Sequence, residues 1–247
     1  MKFTKILIII LFFSTNIFAD TIYYLLKIPN LEIIDFKNNN EIKIFKAKKY
    51  FKVGVKDNNV ECYSPSDNLL KDKHNLINEN INLYSNFFLN KINLRFIILC
   101  NNLEVASIPA LGVPNHPLKT IIININTDDY RLSRTIHHEI FHIINDQFTE
   151  LFDHDKWRNF NTKVFKYKTC STCTDEFGME LLKETNGFFT EYSQSTVGED
   201  MAETFSFLMI KNSKFEKIVQ DDIILKKKIN FIKSNILLID QNFKFNL

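Results

Sequence analysis

Residues 138–142 read His138-Glu139-Ile140-Phe141-His142, and a chain that uses this pentapeptide must present it on a helix. Residues four apart stack on one helical face, so the imidazoles of His138 and His142 can hold one metal ion only in that conformation. Glu139 then lies beside the first of them, where a carboxylate can take a proton from a metal-activated water. The spacing fits the catalytic zinc centre of a peptidase. It constrains the rest of the fold as well: two histidines leave zinc one protein ligand short, so a third donor must arrive from elsewhere.

The surrounding sequence agrees with a helix. Upstream, Lys119-Thr-Ile-Ile-Ile-Asn-Ile-Asn126 is a β-branched run that reads as a buried strand. Thr127-Asp128-Asp129 follows, offering a helix cap and acidic residues suited to the positive end of the helix dipole. Leu132, Ile136, Ile140 and Ile143 then recur at helical spacing and give an apolar face beside the histidines. The plain alternative is a surface helix with two solvated histidines; the order strand, cap, amphipathic helix argues against it. His137 is five residues from His142, poor geometry for a shared ligand, and reads as a structural or supporting histidine.

The first nineteen residues have the form of a signal peptide. Lys2 and Lys5 give a basic start, Ile6 to Phe13 an unbroken apolar core, and Ile17-Phe18-Ala19 a cleavage site before Asp20. The apolar core is short for a bilayer span, so an exported protein, periplasmic or secreted and not stably inserted in a membrane, is expected; an uncleaved anchor is the alternative. Removing residues 1–19 takes away two lysines and no acid, so the formal charge of +2 falls to zero. That balance gives no electrostatic case for nucleic acid or an anionic membrane as partner. Four cysteines remain, Cys62, Cys100, Cys170 and Cys173. Export favours disulfides, with Cys62–Cys100 and Cys170–Cys173 the preferred pairing of three. For Cys170-Ser-Thr-Cys173 a second zinc site or a redox motif is the rival reading.

Downstream of the motif the candidate third ligands are His154 and several carboxylates. His154 sits in the run Asp153-His154-Asp155 without the glycine turn of extended three-histidine motifs, which excludes it. In Tyr192-Ser-Gln-Ser-Thr-Val-Gly-Glu199-Asp-Met-Ala-Glu203-Thr-Phe, Gly198 loosens the chain, and a second amphipathic helix follows with Glu199 and Glu203 on one face. A helix bringing a carboxylate toward a two-histidine helix is the arrangement of glutamate zincins. Glu199 would bind the metal there, and Glu203, one turn on, would accept a hydrogen bond from a histidine ligand. Thr196-x-x-Glu199 also fits a capping box, and Glu203 as the ligand is the remaining possibility.

These motifs together resemble the zinc metallopeptidases of the anthrax-lethal-factor-like group, especially its secreted bacterial members. The resemblance runs from about Ile121 to Phe231. It rests on His138-Glu-x-x-His142, Tyr192 seven residues before Glu199, Glu199-Asp-Met-Ala-Glu203-Thr-Phe, and Trp157-Arg-Asn-Phe-Asn161 followed by Phe165-Lys-Tyr167. It implies a role that spacing does not: the Tyr192 hydroxyl would point at the carbonyl oxygen under attack, where a phenol donor stabilises developing charge. From the residues alone, Tyr192 reads as a packed aromatic. Residues 20–110 carry no motif of that group, and the Cys170/Cys173 stretch is an insertion relative to it.

The expected fold is α+β: a zincin-like metallopeptidase domain whose mixed β-sheet packs on the motif helix. The sheet should include Asn93–Cys100, Leu103–Ser107 and Lys119–Asn126, with Phe215–Phe243 forming one or two C-terminal helices. Residues 111–247 would be the metallopeptidase core. Residues 20–110 would be its N-terminal part or a small subdomain, with strands at Ile22–Leu26 and Ile42–Phe45. Ser107–Pro114 is either a cleft rim along which a peptide could add as a strand or an ordinary proline-bounded loop. One zinc ion held by His138, His142 and Glu199, with Glu139 as general base and Tyr192 at the oxyanion, would hydrolyse peptide bonds in a peptide or protein substrate. The other readings are a zincin-fold binding protein that cuts nothing and a zinc amidase acting on cell-wall amides.

Overall fold

Phe96-Ile-Ile-Leu-Cys100 and Thr120-Ile-Ile-Ile-Asn124 are apolar at nearly every position, a pattern that suits only strands covered on both faces. The computed structural model, which describes residues 30–35, 40–54, 59–169, 171, 178–210 and 213–246, has this cover. Its central sheet is five-stranded, in the order β1 (Leu31–Ile34), β2 (Lys43–Ala47), β5 (Phe96–Cys100), β9 (Thr120–Asn124) and β8 (Gly112–Asn115). Strands β2, β5 and β9 run parallel, and β1 and β8 are antiparallel at the two edges. A second sheet has the order β3 (Phe51–Val53), β4 (Val60–Cys62), β6 (Leu103–Val105) and β7 (Ile108–Pro109), all antiparallel.

Successive side chains of the central strands go to opposite cores. Ile44, Ile97, Leu99, Ile121 and Ile123 join the large helical core. Phe45, Phe96, Ile98, Cys100 and Ile122 instead meet Phe51, Cys62 and Leu103 of the small sheet. The layers are therefore helices, central sheet, small sheet. The Cys62–Cys100 disulfide crosses from β4 to β5 and fastens the two sheets. The strand expected at Leu103–Ser107, in the same sheet as β5, is Leu103–Val105 and belongs to the small sheet, where Leu103 pairs with Cys62. Three residues with one buried apolar position can serve either sheet, and the bend at Asn101-Asn102 carries them out of the central one. Strand β2 overlaps the expected Ile42–Phe45 strand but runs on to Ala47; Ile22–Leu26, the leader and the Cys170–Cys173 pairing lie outside the described residues.

The helical layer holds α1 (Asp67–Ile81), α2 (Asn86–Lys91), α3 (Asp129–Gln147), α4 (His154–Arg158), α5 (Val197–Met209), α6 (Ser213–Asp221) and α7 (Ile223–Ile239). The helix α3 carries the histidine motif, emerges from β9, and lies between α1 and α5. On its α1 side the contacts are polar and specific. His137 Nε2 donates to Asn80 Oδ1 at 2.8 Å, and Tyr84 donates to His137 Nδ1 at 2.6 Å. Burial drives this imidazole down to about 3, so it stays neutral and acts as a structural brace.

On the far side of α5, Asp200 is wholly buried and its Oδ2 accepts from three donors. These are Lys228 Nζ at 2.6 Å, Trp157 Nε1 at 2.8 Å and the Tyr167 hydroxyl at 2.5 Å. Lys228, also fully buried, gives a second hydrogen bond to the Gly187 carbonyl at 2.6 Å. Gly187 has φ +92°, a conformation that disfavours any side chain. This cluster locks α4, the segment after it and α7 onto the start of α5. Removing one charge would leave the other buried and unpaired, so Lys228→Met should cost about 3–5 kcal/mol in urea unfolding. Pairing it with Asp200→Asn should recover much of that loss. A loss below about 1 kcal/mol in the single variant would contradict this account.

Candidate metal centre

The helix α3 starts where Asp128 accepts a hydrogen bond from the Arg131 amide at 2.9 Å. Leu132, Ile136, Ile140 and Ile143 are all buried in the helical core, which turns the neighbouring face, with Arg134, His138 and His142, toward α5. The helix α5 is capped by Thr196, whose hydroxyl accepts from the Glu199 amide at 3.2 Å. Only that half of a capping box forms. The Glu199 carboxylate turns toward the histidines, and Gly198 lies inside the first turn of α5 rather than ahead of the helix.

Three acceptor atoms converge there. Glu199 Oε2 lies 2.9 Å from His138 Nε2 and 3.3 Å from His142 Nε2, and the two ring nitrogens are 3.1 Å apart. Tetrahedral zinc at about 2.0–2.1 Å from each ligand places its ligands about 3.3 Å from one another. The donor chemistry and the spacing thus both fit zinc, and these are the residues that could hold it. Glu203 meets the other nitrogen: its Oε1 accepts from His138 Nδ1 at 3.0 Å, which leaves Nε2 free to face the centre. His154 lies apart, 3.4 Å from Asn145 Nδ2.

The electrostatics separate three carboxylates that share one site. Burial raises Glu199, but the paired histidines outweigh it and carry it well below the usual carboxylate range. Burial likewise raises Glu203, while Arg134 and His138 hold it at about 2. For Glu139 burial prevails over the two histidines, and its carboxyl is pushed up. Glu139 Oε2 is buried without a hydrogen-bond partner among the described residues. Tyr192, on a short 3-10 turn (Tyr192–Gln194), has its ring centroid 6.0 Å from that of His138. Burial and then the nearby Glu199 raise its phenol far above the ordinary value, so it stays a proton donor at any working pH.

A cleft of about 440 Å³ opens onto these groups. The Ile108–Pro114 stretch, Met179 and Tyr192 are among the residues that line it. Strand β8 therefore follows the rim, as one of the two readings of Ser107–Pro114 anticipated. Two contributors escaped the sequence reading. Gly112 lies against Glu139: a Cβ built there would fall 2.6 Å from Glu139 Cγ and 2.7 Å from Oε1. Arg134 backs Glu203, and its spacing with His138 and His142 (i, i+4, i+8) was the available signal.

In the metal-free protein, burial lowers His138, but the hydrogen bonds to Glu199 and Glu203 outweigh it and raise the ring from 6.5 to about 10. The raised value means that this ion pairing stabilises the metal-free fold below the ordinary histidine range and is lost as pH rises through about 10. Zinc needs the neutral ring, so binding must displace a proton at neutral pH. Zinc affinity should therefore rise with pH by about tenfold per unit from roughly 6 to 9, with about one proton released. Competition titration and calorimetry in buffers of different ionisation heat read both quantities. A flat affinity over that range would contradict the pairing.

No curated protein sequence matches the chain. Among solved structures, the chain is similar to a crystal structure described as a "putative zinc-binding metallo-peptidase" from Bacteroides caccae. The identity is 13% and the TM-score 0.43, over 94% of this chain and 89% of that one. The sequence profile of the family described as "Putative zinc-binding metallo-peptidase" matches residues 73–244, well over half of the chain, and the protein belongs to that family.

Proposed function

We propose that the protein is an exported zinc endopeptidase, akin to the anthrax-lethal-factor-like group, in which His138, His142 and Glu199 hold a single zinc ion. The convergence of two Nε2 atoms and Glu199 Oε2 within 3.3 Å of one another, beside a buried and unpartnered Glu139, carries this reading. Zinc supplies Lewis acidity that brings water within reach of deprotonation near neutral pH. Glu139, raised by burial, takes the proton as water attacks the scissile carbonyl and hands it to the departing amine. Tyr192 donates its hydroxyl hydrogen to the carbonyl oxygen as that oxygen becomes negative. Glu203 keeps the His138 proton on Nδ1 throughout.

The substrate has a place to lie. Leu111 O accepts from the Asn124 amide at 2.8 Å, so alternate residues of β8 face β9, and the backbone groups of Gly112 and Pro114 face the free edge. An extended peptide can pair with Gly112 there as an added strand, directly above Glu139. Pro114 lacks an N–H, which limits that pairing and protects the edge from other chains. Export is supported by the leader-like residues 1–19 and by the Cys62–Cys100 disulfide, a bond that persists in oxidising compartments.

Digestion of a broad peptide library with and without a chelator tests the activity; cleavage that persists after zinc is removed, or no cleavage with zinc bound, sinks the proposal. Glu139→Gln should retain zinc and lose turnover by at least about 10²–10⁴-fold, and Tyr192→Phe should lose about 10²–10³-fold in kcat. Gly112→Ala should push the Glu139 carboxylate aside and lower kcat by about 10²-fold with zinc content unchanged. Full activity in that variant would show that the base tolerates a neighbour at 112.

A further inference from the structure

Glu203 is the group that orients His138, and something must orient Glu203. The carboxylate is almost wholly buried, on the side of α5 that faces α3. Its Oε1 is occupied by His138 Nδ1 at 3.0 Å. Its Oε2 accepts from the Thr190 hydroxyl at 2.8 Å and from the Arg134 guanidinium. Arg134 is itself nearly buried, stacked with its guanidinium carbon 4.2 Å from the Phe207 ring centroid. Its second terminal nitrogen donates to the Met179 carbonyl at 2.9 Å. The planar fork thus spans two acceptors, one on the carboxylate that holds a histidine and one on the wall of the cleft.

We propose that Arg134 is a positioning residue of the metal centre: its guanidinium fixes the Glu203 carboxylate between Thr190 and His138, holds Nε2 of His138 on the metal, and thereby sets zinc affinity. This inference rests on the zinc-site reading above. Two opposed effects follow from a cation so placed. As a charge, Arg134 repels zinc and would weaken its binding; as a fork, it holds the ligand's partner and strengthens binding. The geometry favours the second, because the charge is spent on Glu203 while the orientation of His138 has no other support than that carboxylate on its Nδ1 side.

The test is a zinc competition titration on the full chain, with Arg134→Met, which keeps the stem over Phe207, and Arg134→Lys, which keeps the charge but not the fork. Arg134→Met should weaken zinc about 10–100-fold and alter the visible absorption of the cobalt-loaded protein. Arg134→Lys should lie between it and wild type. Arg134→Met in a Glu203→Gln background should add little further loss, since both changes break one chain of contacts. Zinc binding as tight as wild type, or tighter, in a folded Arg134→Met protein would overturn the inference. Should that variant not fold, unchanged affinity in Arg134→Lys would overturn it equally. A His138→Ala control separates the two levels. If that variant keeps wild-type zinc affinity, the metal centre itself is misassigned; if it loses zinc while the Arg134 variants do not, only the role of Arg134 fails.

Discussion

Two imidazole nitrogens and a carboxylate oxygen, each about 3 Å from the others, cannot be left together in a protein interior without positive charge among them. Holding them there is a demand on the relative rotation of two helices. In α5 successive residues are about 100° apart, so Glu199 and Glu203 look toward α3 while Asp200 looks about 60–100° round from them, toward Trp157 and Lys228. Each direction ends in a buried charge pair: Glu203 with Arg134, and Asp200 with Lys228. A shift of α5 by one residue would put Thr204 or Ala202 where Glu203 meets Arg134, and would leave that cation unpaired. The two ion pairs therefore fix helix register more than they add stability, since burying such pairs costs much of what their attraction returns.

The same logic explains the aromatic stretch between the helices. Trp157 and Tyr167 both donate to Asp200, and Asn161 donates to the Tyr167 hydroxyl at 2.8 Å. These residues belong to the stretch that, beside the histidine motif and the Glu199–Phe205 phrase, carries the resemblance to known metallopeptidases. Their physical use is to satisfy one buried carboxylate that sits one residue beyond Glu199. Lys228 reaches the same carboxylate from α7, with its ammonium 3.8 Å from the Phe188 ring centroid, and so brings the C-terminal helix into the support of the site.

Much of this was legible in the sequence, for identifiable reasons. The helices α3 and α5 announce themselves through caps, apolar periodicity and pairs of polar residues four apart, all short-range signals. The central strands do so through isoleucine runs that can only be buried twice. The assignment of Leu103–Val105 to the wrong sheet shows the limit: strand pairing is a long-range choice, and a three-residue strand carries no information about it. Asp200 was passed over because an acid in the first turn of a helix already has a sufficient local explanation in the dipole. Gly112 was invisible for a different reason. Its importance lies in the atoms it lacks, and those matter only once Glu139 is known to lie against it.

That contact also bears on how the cleft leaves the Glu139 carboxylate unpartnered. A buried carboxylate oxygen without a partner costs about 1–3 kcal/mol, and folding would ordinarily remove the cost by supplying a donor. Among the described residues, neighbouring donors are directed elsewhere: the two terminal nitrogens of Arg134 to Glu203 and Met179, the Thr190 hydroxyl to Glu203, and His138 to both flanking glutamates. Glycine at 112 then lets the edge strand approach without adding a side chain that could fill the space or turn the carboxylate away. The arrangement leaves Glu139 as the one acid of the three that the protein does not neutralise, which is why burial raises it while its two neighbours stay low. If Glu139 is the base, as proposed, it is chosen by exclusion: it needs no dedicated partner, only neighbouring acids that are satisfied first.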